Sequence, residues 1–369
     1  MKICIVSNYK KNGYGESSRP YFLSVNLLKQ GHRILHLCEH EGKEDGIEYI
    51  KVHTWVWEPS FIKRIATFIY LFFKVRTFGP DVIYMHQFNN ARWALASRVM
   101  PKVKFVFDAH TSLFFEATGL TPEKTADIER VKNIERDICL KADAIICASE
   151  ETRQILQEAY SLPAGKLYAV GNATYIAPVT EAEKEAENNT APNTFTCLAT
   201  LPFDGFLSNE LALAYLFEIA ALVQDKTAQI KFVVLGGGKK PVPPTSNVIY
   251  AGYVPDLRKE ILAAGICLMP YPDNAVCGGA RNKFCDFIAL GKVVISSPEG
   301  MRGMQALEAG KNCLVAKNKN EFAEKIIELS ESENKLRVLE NEVFKMRGYY
   351  NWKDRAEQVA GIFKKILNT

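Results

Sequence analysis

Residues 277–300 read CGGARNKFCDFIALGKVVISSPEG. Two glycines lead into Arg281 and Lys283, then an apolar helical run closed by Gly291, then the β-branched strand KVVISS. The preceding LMPYPD ends a strand, so this is strand, loop, helix and strand, the repeating unit of a parallel α/β sheet. Ligands of such sheets gather beyond the carboxyl ends of the strands. Gly278 and Gly279 leave backbone N–H groups open to an anion. Arg281 and Lys283 add formal charge suited to phosphate oxygens. Basic residues opening a helix oppose its dipole unless an anion is present, which favours a phosphate site over a solvated turn. Asp286 lies on the same helix, where a carboxylate can accept both hydroxyl protons of a ribose.

The same alternation extends in both directions. Upstream, KICIVSN, HRILHLC, PDVIYMHQ, VKFVFDAH and ADAIICAS are short apolar runs, and the helix SRPYFLSVNLLKQG is closed by Gly31. Continuous apolar strands with intervening helices imply a parallel sheet covered on both faces. Residues 174–194 are polar and acidic, with two prolines, and read as a linker. A second alternating set then runs from TFTCLATL through IKFVVLGGG, NVIYAGYV and EILAAGICLMPY to NCLVAK, and the tail is helical. A chain of 369 residues exceeds one ordinary core. The expected organisation is a first domain over 1–173, a linker over 174–194, a second domain over 195–349, and a final helix over 350–369.

Composition narrows the class. Hydrophobic content of 47% and charged content of 24% suit a water-soluble globular chain. The net charge of +4 is spread along the sequence, which argues against a nucleic-acid partner. Nine cysteines without a CxxC pair read as reduced, buried thiols of a cytoplasmic protein. The opening MKICIVSNYKKNG has too short an apolar run for a signal peptide. The longest apolar run, Ile65 to Phe73, falls short of the roughly 20 residues that span a bilayer.

The succession GGARNKFCDFIALGKVVISSPEGMRGM (278–304) resembles the nucleotide-binding segment of the family 4, GT-B fold glycosyltransferases. Other pieces appear in the order of that family: a glycine loop at 8–20, DAH at 108–110, ADAIICASEETRQIL at 142–156, KLYAVGNA at 166–173, FVVLGGG at 232–238 and AGYVPDL at 251–257. The resemblance implies two facing doubly wound Rossmann-like domains, with the helix around NWKDRAEQVAGIFKKIL crossing back to the N-domain. It implies a retaining, metal-independent transfer of sugar from a nucleotide diphosphate sugar to a glycan or lipid-linked acceptor, in surface polysaccharide or glycoconjugate synthesis, with no cofactor. The chain contains no DxD.

Residue by residue, the resemblance makes His110 the catalytic-site histidine that binds hydroxyls of the transferred sugar. Asp286 stands where the family has a ribose-binding glutamate, and Gly278 where it has a second glutamate. The usual Arg and Lys after the first strand of the second domain are missing from LPFDGFLSNE (201–210), so Arg281 and Lys283 are expected to hold the diphosphate with Gly278 and Gly279. Gly15 admits the sugar or its β-phosphate, and Glu16, Arg19 and His86 are acceptor-side candidates. The segment 55–78, with Trp55, Trp57 and basic residues at both ends of an apolar aromatic run, suits an anionic membrane surface on the cytoplasmic leaflet. The alternative for that segment is a helix packed on the first sheet.

Three other functions fit parts of the sequence. A nucleotide-sugar epimerase shares the architecture, and a non-catalytic nucleotide-sugar-binding protein would tolerate the glycine at 278. GYGESS (13–18) with Glu39 approximates a dinucleotide fingerprint, but the loop from Asn8 to Ser18 is too long for that tight turn. HLCEH (36–40) alternates three zinc-ligand types without a fourth, and strand alternation explains the spacing.

Overall fold

The computed structural model describes residues 1–7, 18–38, 44–51, 61–86, 103–188, 195–202, 206–238 and 243–368. The chain divides into two compact units. The first comprises 1–117, 123–173 and 352–369, and the second 118–122 and 174–351.

In the first unit the order is β1 (Lys2–Val6), α1 (Ser18–Lys29), β2 (Arg33–Cys38), β3 (Ile47–Lys51), α2 (Phe61–Phe78), β4 (Val82–His86), β5 (Lys104–Ala109), α3 (Leu113–Leu120), α4 (Thr125–Lys141), β6 (Ala144–Cys147), α5 (Glu150–Tyr160) and β7 (Leu167–Ala169). The strands form one sheet in the order β3-β2-β1-β4-β5-β6-β7, and every pairing is parallel. Successive residues of a strand point to opposite faces, which builds two cores. Cys4, Leu35, Ile83 and Phe107 join Leu71 and Val75 of α2 on one face. Ile3, Ile5, Tyr84, Val106 and Ile146 face the other.

That second face is completed from the far end of the chain. The helix spanning Trp352–Leu367 buries Trp352, Ala356, Val359, Ala360, Phe363 and Ile366, spacings of three and four residues that make one apolar stripe. The stripe packs with Leu23 and Leu27 of α1 against the sheet, and Phe22 stacks on Trp352 at 5.8 Å.

The second unit contains α6 (Glu181–Asn188), β8 (Phe195–Thr200), α7 (Leu207–Gln224), β9 (Ile230–Leu235), β10 (Val248–Gly252), α8 (Leu257–Leu262), β11 (Ile266–Met269), α9 (Lys283–Ala289), β12 (Val294–Ser296), β13 (Leu314–Val315), α10 (Lys319–Glu331) and α11 (Glu333–Lys345). The returning helix is α12. Its sheet has the order β10-β9-β8-β11-β12-β13. In both sheets the order reverses once, beside β1 and β4 and beside β8 and β11, and the loops leaving those strands flank the ligand crevice of a doubly wound fold.

Three expectations change. The described part of the expected linker, 174–188, belongs to the second unit, with Ile176 and Val179 in its core and Glu181–Asn188 helical. The helix expected from Arg281 begins at Lys283, and Asn282 gives it no side-chain cap. The edge strand β3, IEYIK, was not anticipated, because it exposes Glu48 and Lys51 and lacks an apolar run. Among the described helices, α7 alone is long and apolar enough to cross a membrane, but it sets Ala212, Leu213, Leu216, Ile219, Ala220 and Val223 into the second core.

Candidate active site

The first unit carries a buried polar cluster on the α1/α12 face of its sheet. Tyr84 and His86 are two residues apart at the end of β4, and His86 sits beside Asp108 in the parallel register. His110 follows two residues after Asp108, so alternation brings all four side chains to one face. Arg19, in the first turn of α1, enters from above. Its Nε donates to both oxygens of Asp108, at 3.0 and 3.2 Å, and its Nη1 donates to the carbonyl of Gly171 at 3.0 Å and to Asn172 Oδ1 at 3.1 Å. The Tyr84 hydroxyl donates to Asp108 Oδ2. His110 Nε2 lies 3.3 Å from Asp108 Oδ1 and 3.2 Å from His86 Nδ1.

Arg19, His86 and Asp108 have no solvent exposure, whereas His110 retains a little. Burial alone would raise the Asp108 carboxyl, but Arg19, the two histidines and the Tyr84 hydroxyl hold it below its ordinary range. Burial pushes His86 well below the usual histidine range, against the pull of Asp108. Of the acceptor-side candidates, Arg19 is a fully buried counterion of Asp108 and His86 a fully buried neighbour of His110.

Sequence reading missed the partners of His110. Asp108 was visible only as the D of DAH, and Tyr84 only as a strand residue. Glu135 of α4 gave no signal. Its buried carboxylate accepts from Ser112 Oγ at 2.9 Å, the Leu113 amide at 2.8 Å and Tyr160 Oη at 2.7 Å, fixing the start of α3 just beyond His110.

The trio His86, Asp108 and His110 brings one ligand atom from each within 4.8 Å of the others, a donor set of the kind that holds transition metals. Arg19 already occupies the same carboxylate, and a divalent ion there would face an adjacent buried cation. The geometry therefore fits a hydrogen-bonded cluster better than a metal centre. His36, the other metal-ligand candidate, is buried with its ring nitrogens against Ser7 Oγ at 2.7 Å and Ser24 Oγ at 3.1 Å. Burial lowers its pKa to about 3, and Cys38 is buried nearby in the same strand. Gly15, Glu16 and His40 lie outside the described residues.

In the second unit, Gly278, Gly279 and Arg281 lie in the segment between β11 and α9, and Lys283 is the first residue of α9. Arg281 is buried and Lys283 half-buried. The Arg281 guanidinium lies over the Tyr271 ring at 3.5 Å, donates to the Ala275 carbonyl at 2.5 Å and sits 3.4 Å from Glu299 Oε1. Arg302 Nε donates to the other oxygen of Glu299 at 2.7 Å. Lys283 Nζ donates to Tyr271 Oη at 2.6 Å and Asn209 Oδ1 at 3.0 Å. Burial and the like charge of Arg281 lower its pKa well below the ordinary lysine range. Burial raises the Tyr271 hydroxyl to about 12.

Two arginines thus meet at one carboxylate, while the lysine donates to two neutral oxygens. Asn209, Tyr271 and Glu299 were missed because none belongs to the glycine–cation motif, and only the meeting of the loops after β8, β11 and β12 assembles them. One glycine after β9 is sterically required. Gly236 has φ +146, and an added Cβ would lie 2.6 Å from Pro202 N. Asp286 accepts from Thr174 Oγ1 at 2.5 Å. Burial pushes its pKa up to about 7, against that hydrogen bond and the charge of Lys283.

Comparison with known proteins agrees with this architecture. The model of Glycosyltransferase Family 4 matches residues 21–175, and that of Glycosyl transferases group 1 matches residues 199–332. Sucrose-phosphate synthase from Thermosynechococcus elongatus superposes with a TM-score of 0.76 at 16% identity, covering 100% of this chain and 99% of that one. Anabaena HepE in complex with UDP-glucose gives 0.72 at 14% identity, covering 99% and 100%. WaaG, a glycosyltransferase involved in lipopolysaccharide biosynthesis, gives 0.69 at 13% identity, covering 98% and 99%. No curated protein sequence matches the chain. The class is that of the GT-B fold glycosyltransferases. Within it, the chain belongs to the family 4, group 1 glycosyltransferases.

Proposed function

We propose that the protein transfers a sugar from a nucleotide diphosphate sugar to a glycan or lipid-linked acceptor, with retention at the anomeric carbon and without a metal ion. The observation that carries this reading is the gathering of basic side chains at the loop 277–283, where Arg281 and Arg302 meet at Glu299 and Lys283 donates to the neutral oxygens of Tyr271 and Asn209. A departing diphosphate beside them would favour the charged form of Lys283. Fixed cations and the amides of Gly278 and Gly279 can stabilise the developing charge without a divalent ion. Asp286 is assigned to the donor ribose and His110 to hydroxyls of the transferred sugar, following the family resemblance. HepE, with UDP-glucose bound, supplies a precedent for the donor class.

For the acceptor we propose a cytoplasmic-leaflet location reached through α2. This helix buries Leu71 and Val75 but exposes Ile69, Tyr70 and Phe73, with Lys74 over the Tyr70 ring at 5.8 Å. An exposed row of aliphatic and aromatic side chains beside a cation suits the headgroup region of an anionic bilayer.

Calorimetry and thermal shift with UDP, GDP and ADP test the donor site, because a ligand that binds only the native state raises its apparent stability. One of them should bind wild type, and Arg281→Ala should weaken that binding more than about tenfold. Equal binding by wild type and Arg281→Ala overturns the placement. Sedimentation with anionic vesicles tests the membrane half: wild type should pellet at low salt, and Tyr70→Ser with Phe73→Ser should stay in solution.

A further inference from the structure

We infer that Asn209 and Tyr271 are the positioning residues of Lys283, holding its amine by two of its three tetrahedral positions so that the third is offered to a diphosphate oxygen. This rests on the reading of the loop 277–283 as the diphosphate site. Lys283 Nζ lies 2.6 Å from Tyr271 Oη and 3.0 Å from Asn209 Oδ1, and Tyr271 Oη lies 2.9 Å from the same Asn209 oxygen. The direction of every bond in this triangle follows from one carbonyl. Asn209 Nδ2 lies 2.5 Å from Pro202 O, and a carbonyl can only accept, so the amide nitrogen faces it and Oδ1 faces the triangle. Oδ1 carries no proton, so the Tyr271 hydroxyl must donate to it. That hydroxyl has one proton, now committed, and meets Lys283 as an acceptor.

Both oxygens belong to buried side chains, Tyr271 at 0% and Asn209 at 7% exposure, whereas Lys283 is half-buried. The amine is gripped from the core side, and among the described residues it has no third hydrogen-bond partner. A lysine stem loses rotamer entropy when it is fixed. Here folding has already fixed it, so an arriving diphosphate does not bear that loss. The same ring serves the other cation. The Arg281 guanidinium lies over the Tyr271 face at 3.5 Å while Lys283 is held through Oη, so one buried side chain places two like charges. Burial and the repulsion from Arg281 depress the Lys283 pKa, and an anion at the third position would oppose both. The loop after β8 has no basic residue over 201–210. What it contributes is Asn209, a neutral acceptor for a cation supplied by α9.

Two measurements on the full-length protein test this. Competitive acetylation with acetic anhydride, read at Lys283 by mass spectrometry, gives the pH profile of its amine without any ligand. Asn209→Asp sets a carboxylate beside the amine and should move that profile to higher pH by about one unit or more; an unmoved profile in the folded variant overturns the inference. Calorimetry with inorganic pyrophosphate measures what the grip does. Tyr271→Phe keeps the ring under Arg281 and removes only the oxygen, and it should weaken pyrophosphate binding about five- to tenfold. In a Lys283→Ala background the same change should weaken it no further, because the hydroxyl acts through the amine. An equal further weakening there marks the hydroxyl as merely structural and overturns the inference. This cycle leaves Asn209 and its bond to Pro202 intact, so it decides the matter even if Asn209→Asp does not fold. Equal binding by wild type and Lys283→Ala, or none by wild type, removes the diphosphate from the site and the inference with it; an acetylation profile that still moves in Asn209→Asp then shows that the donor reading failed and not the grip.

Discussion

Replacing Arg19 by methionine isolates the buried ion pair of the first unit. Methionine fills most of the arginine stem's volume, so the change chiefly removes a charge and its donors. Asp108, without solvent exposure, would lose two hydrogen bonds of 3.0 and 3.2 Å, and Gly171 O and Asn172 Oδ1 would each lose one. Removing one partner of a buried pair costs about 3–5 kcal/mol, because the remaining charge is neither solvated nor neutralised. The cost should depend on pH. In wild type the Asp108 pKa is depressed, so its stabilising contribution is present above the unfolded value of 3.8 and is lost as pH falls through the folded value. In Arg19→Met the carboxyl pKa rises instead, and its contribution turns unfavourable as pH climbs above the unfolded value. The difference between the two proteins is therefore largest near neutrality and shrinks toward pH 4. Urea unfolding followed by circular dichroism and by tryptophan fluorescence, across that range, measures it. A loss below about 1 kcal/mol at pH 7, the scale of an exposed pair, or a loss independent of pH, would refute the account of Arg19 as the counterion of Asp108.

Other outcomes follow from the second unit. Asp286 has its pKa raised to about 7, so its contribution to stability should decline as pH rises from about 4 to 7, and Asp286→Asn should flatten that slope in thermal melts. Lys283 has a depressed pKa in the free protein and would regain a proton beside a diphosphate. UDP binding should therefore weaken as pH rises, with a calorimetric enthalpy that varies with the buffer's ionisation enthalpy; identical enthalpies in all buffers through that titration would count against it. Gly236→Ala should destabilise the second unit by at least about 1–3 kcal/mol through its left-handed backbone and the clash with Leu201 and Pro202, seen as an earlier chemical melt. Transferase activity, once a donor is found by binding, should survive added chelator; complete loss would point to a bound metal.

The sequence by itself determined the architecture and the chemistry of one loop. Buried parallel strands must be apolar along most of their length, so β1, β4, β6 and β12 appear as runs such as KICIV and AIIC. Gly31 and Gly291, with φ of +83° and +71°, punctuate the helices between them. Gly278, Gly279, Arg281 and Lys283 lie close together in the chain, so their motif needed no knowledge of distant partners. Only the tertiary structure decided what those residues meet. Arg19 and Asp108 are 89 positions apart, and Asn209 and Lys283 are 74 apart. Nothing in either local pattern marks the other. A lone arginine at a helix start reads as solvated until another strand delivers a carboxylate beneath it. Likewise, two cations near a glycine loop read as free until Tyr271, Asn209 and Glu299 arrive from three different strand ends. Local backbone preference and burial period are properties of neighbouring residues. The partner of a buried charge is set by which loops the sheet order brings together, and that order is fixed by packing across the whole domain.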